Sequence, residues 1–389
     1  MSVIPKIEEF AAELTAIRHD FHAHPELGFE ETRTAGIVAE KLRAYGVDEV
    51  HEGIGGTGVV ALIKGEGGGN RRVGLRADMD ALPIEEASGV PYASQNPGRM
   101  HACGHDGHTT MLLGAARYLA ETRDFDGTVV LIFQPAEEGL GGARRMIAEG
   151  LFEKFPCDEI YGMHNDPNAE PGIVTVAPGP AMAGASFFDI TVKGTGSHAA
   201  MPHQSKDPIV IGTALVQQLQ SVVSRNAPPT KPVVISVTTF HAGAAYNVVP
   251  DTATISGTIR YFHDEVAEMA HQRIKDLCAG LSQAYGVEIT ADLRNVFDVL
   301  MNDPELSTAY VDAAKEVVGA DMAFETSDQM TGSEDFADML KVVPGAYCRV
   351  GHAGSIGLHN PAFVLDDAIL PVGASIYARI VENRLKRGA

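Results

Sequence analysis

Four short segments of this chain end in residues that bind metals. They are Met100-His101-Ala102-Cys103-Gly104-His105-Asp106-Gly107-His108, Phe133-Gln134-Pro135-Ala136-Glu137-Glu138-Gly139, Gly162-Met163-His164-Asn165 and Leu358-His359-Asn360-Pro361. Thiolate, imidazole and carboxylate are the side chains that hold divalent transition metals. Gathering them without a cation would bury charges and imidazoles lacking partners, which is costly. Together they supply more ligands than one ion takes. The segments therefore point to a dinuclear metal site in a hydrolase.

Within the first segment, Cys103 and His105 are two residues apart and can approach one metal pair from one loop. Asp106 suits the start of the following helix and reads as a cap. His108 on that helix reads as packed or hydrogen-bonded, and His101 has a weaker claim as a ligand. Glu137 and Glu138 follow an apolar run and Pro135. One carboxylate can bind metal while its neighbour faces water. A divalent ion makes its water acidic near neutral pH. A carboxylate beside it can take that proton and pass it to a leaving amine. Taken alone, the turn Gly194 to His203 with its two histidines is a weak signal. Asn247 and Arg260 are individually ordinary, since an Arg on an alternating strand is usually a solvated one.

These residues need elements to position them. Apolar spacing predicts a helix over Ile7 to Phe21, stopped by Pro25, and a second over Glu30 to Tyr45. Strands follow at Gly58 to Lys64 and Arg72 to Ala77, with Gly65 to Asn70 as the turn between them. Then come a helix from Gly107 to Glu121, a strand from Gly127 to Phe133, a helix over Ala143 to Glu149 and a strand from Glu159 to Met163. Such alternation predicts an α/β fold with a mostly parallel sheet covered by helices. Asp78, Asp80, Glu137, Glu138 and His164 would then sit just past the C-terminal ends of strands, the rim where open sheets bind ligands.

Near Gly184 the period changes. Ser186 to Lys193, Val233 to Phe240 and Thr252 to Phe262 lean towards strands, and Ile209 to Ser224 and Glu265 to Tyr285 towards helices. This makes an α+β unit of about 115 residues, an ordinary domain size. Because His359 must join Cys103, residues 1–182 and 298–389 are expected to form one catalytic, metal-binding domain. Residues 183–297 are then an inserted lid or dimerisation domain.

The chain has 389 residues, 30 Lys plus Arg against 51 Asp plus Glu, and a formal charge of −21. That balance argues against nucleic acid, which needs clustered cations. Substrate carboxylates must be caught by local groups. Four cysteines in such a length do not form a disulfide framework. The amphipathic N-terminus lacks an apolar signal core, and no run of about 18 apolar residues suggests a membrane span. A reducing cytoplasm is the expectation, with Cys103 available as thiolate.

Taken in order, the segments resemble the dinuclear metallo-amidohydrolase family of hippurate hydrolase, aminoacylases and the plant indole-acetyl-amino-acid hydrolases. The matching strings are His22-Ala23-His24-Pro25-Glu26-Leu27-Gly28, Arg76-Ala77-Asp78-Met79-Asp80-Ala81-Leu82-Pro83, the Cys103–His108 loop, Gln134-Pro135-Ala136-Glu137-Glu138-Gly139, His198-Ala199-Ala200-Met201-Pro202-His203, Gly332-Ser333-Glu334-Asp335-Phe336 and Leu358-His359-Asn360-Pro361. They span almost the whole chain.

The resemblance implies that Cys103, His105, Glu138, His164 and His359 hold two divalent ions per subunit, with zinc, manganese, cobalt and nickel all open. It implies Glu137 as general base and then acid. It implies His198 at the oxyanion site, from its own or a partner subunit, and Asn247 and Arg260 on the substrate carboxylate. It also implies a homodimer or higher homo-oligomer. Aminopeptidase-like branches carry a His where this chain has Asp78, so the ligands follow the hippurate-hydrolase branch. Asp80 then orients a ligand from behind, and structural support is the default for His22, His24 and Glu334.

The function expected is hydrolysis of N-acyl-L-amino acids, small molecules, to a carboxylic acid and an amino acid. The rivals are a dipeptidase or specialised N-acetyl deacetylase on the same scaffold, and a catalytically silent metal-binding protein. A zinc nucleoside deaminase is excluded, since its His-x-Glu and Pro-Cys-x-x-Cys elements are missing.

Overall fold

A computed structural model of the chain describes residues 2–354 and 356–388. Two compact units emerge. One contains the described residues up to Ala181, Met301–Asp328 and those from Asp335 onward; the other contains Met182–Leu300 and Gln329–Glu334.

The first unit is built on a sheet with strand order Glu49–Ile54, Gly58–Lys64, Thr128–Gln134, Arg72–Asp78, Glu159–Asp166, Gly345–Gly351, Val174–Val176 and Ala323–Glu325. Thr128–Gln134, Arg72–Asp78, Glu159–Asp166 and Gly345–Gly351 run parallel at its centre. Antiparallel pairings lie to either side. The central strands are buried along nearly their whole length, as strands covered on both faces must be. The parallel register aligns Asp78 with Gln134, and Asp166 with Gly351. The C-terminal ends of these four strands thus share one rim.

The helix His105–Thr122 is buried on almost every side, which suits its run of Met, Leu, Gly and Ala. It packs against Leu370–Arg384, itself buried from Leu370 to Ala378. The second unit is a four-stranded antiparallel sheet, ordered Val233–Ala242, Thr252–Tyr261, Gly184–Lys193 and Glu288–Phe297. Its core gathers Phe188, Ile190 and Ile255 with Ile211, Leu215 and Ile274 from the helices Pro208–Ser221 and Asp264–Tyr285. The opposite strand positions carry Phe187, Asp189, Thr258, Arg260 and Arg294, which stay exposed or half-buried. Among the described residues, no helix is long and apolar enough to cross a membrane.

Several elements differ from the sequence-based expectation. The stretch over Ile7 to Phe21 is two helices, Pro5–Glu8 and Ala11–Ala23. The apolar spacing runs through the break, so periodicity does not register it. The helix expected from Gly107 begins at His105, because Gly104 adopts φ +92° and its carbonyl accepts from Gly107 and His108. The strand expected to end at Met163 continues to Asp166. His164 therefore lies within a strand rather than beyond it. Glu288–Phe297 is a strand that the sequence reading passed over; its alternation is of polar residues with half-buried ones.

Candidate metal centre

The loop before His105 is held at its start by Leu82 and Met100, which exchange backbone hydrogen bonds at 3.0 Å. Gly104 then turns the chain in the left-handed region, where a Cβ would meet Asn165 Nδ2 at 2.3 Å. Only glycine fits both demands. Cys103 thus ends the loop and His105 opens the helix. Glu137 and Glu138 follow the strand Thr128–Gln134 through Ala136, whose φ is +54°. His164 projects from the strand Glu159–Asp166. His359 also has a left-handed backbone, at φ +62°, and its N–H donates to Ala102 O at 2.8 Å. That bond ties a late loop to the loop of Cys103.

These elements bring the donors together. Cys103 Sγ lies 3.3 Å from His164 Nε2 and 3.3 Å from His359 Nε2. Glu138 Oε1 lies 3.2 Å from His359 Nε2 and 4.0 Å from His105 Nε2. In each of three overlapping triads, the donor atoms lie within 4.8 Å of one another: Cys103, His105 and His164; Cys103, Glu138 and His359; and His105, Glu137 and Glu138. Sharing Cys103, His105 and Glu138 between triads makes one extended cradle. His164 Nδ1 donates to Asn165 O at 2.7 Å, which turns Nε2 toward Cys103.

Behind the cradle, Asp80 lies with Oδ1 3.3 Å from His105 Nδ1 and accepts from Glu138 N at 3.0 Å through Oδ2. One carboxylate so fixes both a ring and a backbone amide. Asp78 Oδ1 accepts from His108 Nδ1 at 2.7 Å, and Asn165 N donates to His108 Nε2 at 3.0 Å. Arg76, fully buried, donates to Asp78 Oδ2 at 2.7 Å and Gln134 Oε1 at 2.8 Å. Asn165 also donates to Cys103 O at 2.6 Å. Neither Arg76 nor Asn165 is a metal-binding residue type, so neither stands out in sequence, although both lie inside the motifs that carry the candidate ligands.

Asp106 is not a helix cap. It is buried, accepts from Arg18 Nε at 2.9 Å and lies 2.9 Å from His22 Nδ1. An ion pair from a distant helix cannot be read from local spacing. His22 also lies 3.2 Å from Glu86 Oε1. His24 Nδ1 donates to Asp20 O at 2.8 Å. His101 is buried with neither ring nitrogen hydrogen-bonded.

His198, Asn247 and Arg260 belong to the second unit. Ser197–His198 pairs with Val248–Val249, and Ala199 N donates to Asn247 O at 3.0 Å. Arg260 donates to Ser333 Oγ at 2.9 Å, and Glu334, also of this unit, is buried. Burial lowers the Arg260 pKa.

The charges and burial around the cradle set which protonation each group favours. For His359, the neighbouring Cys103 sulfur and Glu138 carboxylate raise the pKa to about 10. Burial opposes a charge on His105, yet Asp78 and Cys103 raise its pKa well above the usual value. Burial also opposes ionisation of Asp78, yet His105, His108 and Arg76 hold its pKa well below the carboxylate range. Burial pushes the Cys103 thiol up and His164 down. Protons thus gather where acceptors converge. Two buried donor atoms, His105 Nε2 and Glu138 Oε1, have no hydrogen-bond partner, so the approach of His359 to Glu138 lacks hydrogen-bond geometry. A mixed S, N and O cradle with buried polar atoms that make no hydrogen bond fits divalent cations, which would displace the protons held there.

Comparison with known proteins follows the same line. Residues 74–383 match the model of peptidase family M20/M25/M40. The chain is 42% identical to the hippurate hydrolase of Campylobacter jejuni, over 99% of this chain and 100% of that one. It is 37% identical to the N-acetylcysteine deacetylase of Bacillus subtilis, over 95% of this chain and 96% of that one. The crystal structure of a dinuclear metal-binding peptidase of the M20 family from Bacillus subtilis superposes with a TM-score of 0.84 at 32% identity, covering 98% of this chain and 99% of that one.

Proposed function

The chain belongs to peptidase family M20/M25/M40, and from that premise we propose that it is a metal-dependent amidohydrolase of N-acyl-L-amino acids. The enzyme is a hydrolase acting on amide bonds. The observation that carries the finer reading is the set of overlapping donor triads with Glu137 at their edge. Cys103, His105, Glu138, His164 and His359 would hold two divalent ions. Bound there, such ions polarise a carbonyl and make water acidic near neutral pH.

The chain's own residues do the rest. Glu137 takes a proton from the attacking water and returns it to the amine nitrogen as the C–N bond breaks. Asp80 keeps the His105 ring in one orientation. His198 supports the developing oxyanion. Asn247 and Arg260 grip the substrate carboxylate; the half-buried Arg260 guanidinium donates to Ser333, and a guanidinium can pair with a carboxylate through two N–H groups. The products are a carboxylic acid and a free amino acid. The identity to the Campylobacter hippurate hydrolase favours an aromatic acyl group, and that to the Bacillus N-acetylcysteine deacetylase supports a second reading with an acetyl group. The setting that keeps Cys103 reduced is the cytoplasm, and the assembly is a homodimer or a higher homo-oligomer.

The test is turnover of hippurate, N-acetyl amino acids and dipeptides by protein loaded in turn with zinc, manganese, cobalt or nickel. Release of amino acid from an acyl-amino acid is expected. Turnover confined to dipeptides, or none at all with ions bound, would overturn the reading.

A further inference from the structure

Glu137 and Glu138 leave the sheet through a residue in an unusual conformation. Ala136 has φ +54°, in the left-handed region that side-chain-bearing residues rarely adopt. Such a backbone persists only where its surroundings hold it. The N–H of Ala136 donates to Glu31 Oε1 at 2.8 Å, and its carbonyl accepts from Gly142 N at 3.0 Å. Both polar groups of this residue are thereby fixed, one of them by a side chain from a distant part of the sequence.

Glu31 is fully buried. It stands at the start of the helix Thr32–Tyr45, where an acidic side chain would ordinarily cap the first turn. It makes no such bond. Glu26 does that work instead: Oε1 accepts from Arg33 N at 3.0 Å and Oε2 from Thr34 N at 2.8 Å. Glu31 is free to point inward, where Oε2 accepts from the Thr57 hydroxyl at 2.5 Å. Gly28 lets the two loops meet, since a Cβ there would lie 3.0 Å from Ala136 Cα and Cβ. Burial pushes the Glu31 carboxyl up to about 7. A helix end already capped by Glu26 gives no reason to bury an acid at that cost.

We propose that Glu31 is a positioning residue for the hydrolysis, setting through the Ala136 amide the directions in which Glu137 and Glu138 point. It acts through the backbone. The inference rests on the proposed roles of Glu137 and Glu138.

Three variants test it: Glu31→Gln, Glu31→Leu and Thr57→Val. Gln keeps an oxygen for the Ala136 N–H and can donate to Thr57. Leu keeps the bulk and removes both acceptors. In Glu31→Leu, turnover of hippurate or an N-acetyl amino acid should slow at least 100-fold at saturating substrate, with KM within threefold. Glu31→Gln should restore kcat to within fivefold of the wild type. Hydrogen–deuterium exchange of the peptide spanning residues 134–141 should quicken at least tenfold in the Leu variant and not in the Gln variant. Thr57→Val, which loosens one oxygen only, should lie between them, and it decides the matter if Glu31→Leu does not fold. Unchanged kcat and exchange in a folded Leu variant would overturn the inference. So would a Gln variant as impaired as Leu, or wild-type behaviour of Thr57→Val when Leu does not fold. If the wild type turns over no acyl-amino acid, the proposed function fails, while the exchange comparison still decides whether Glu31 holds the Ala136 loop.

Discussion

At the scale of single residues, the proposed function divides the work between Glu137 and Glu138, whose donor atoms lie together beside His105. Glu138 lies within 4.0 Å of His105 and His359, and we propose it as the ion ligand and Glu137 as the base. Glu137→Gln keeps the shape and removes the base. General acid–base catalysis contributes about 10²- to 10⁴-fold, so kcat should fall by that order with ion content unchanged, checked by elemental analysis beside steady-state kinetics. Asp80→Ala should act differently. It frees the His105 ring and the Glu138 amide together, so metal affinity should drop roughly 10- to 100-fold, read by competition with a chelating dye. The strings holding these side chains could be recognised from the sequence. The work of Glu31 could not, because an acidic doublet before a helix looks like an ordinary helix start. Its true partner, a backbone amide, leaves no mark in residue type.

At the scale of elements, His22 joins the helix Ala11–Ala23 to the helix His105–Thr122 through Asp106. Burial opposes its charge, yet hydrogen bonds to Asp106 and Glu86 raise its pKa from 6.5 to about 9. A pKa raised by folding gives stability that is complete below 6.5 and is lost as pH climbs through about 9. Relative to His22→Gln, the wild type should therefore be more stable by roughly 3 kcal/mol at pH 6, with the difference shrinking toward pH 10. Urea melts across that range measure it. Gly104→Ala should also destabilise, since a methyl there meets Asn165 Nδ2 at 2.3 Å on a left-handed backbone; a loss of about 1–3 kcal/mol is expected from the strain alone. Most strands and helices could be predicted because their apolar periods are strong. The misreadings fall where tertiary contacts decide the outcome. The extension of the strand through His164, which pairs with Arg349, and the burial of Asp106 beside Arg18 each depend on a neighbour far away in sequence.

At the scale of the whole molecule, a chain of net charge −21 offers no long-range attraction to an anionic substrate. Capture must come from local cations, and Arg260 is the one we propose. Arg260→Ala should raise KM for hippurate at least tenfold while kcat changes less, in a standard initial-rate assay. The proposed homodimer would sediment at twice the 41.3 kDa of one chain. The donors of the cradle are spread from Cys103 to His359, and the last of them is pinned to Ala102 O by its own backbone N–H. During synthesis, the segment bearing His359 is made 256 residues after Cys103. A nascent chain therefore cannot close this cradle until that late segment has emerged, and a chain released before it would lack the His359 donor that we propose for an ion.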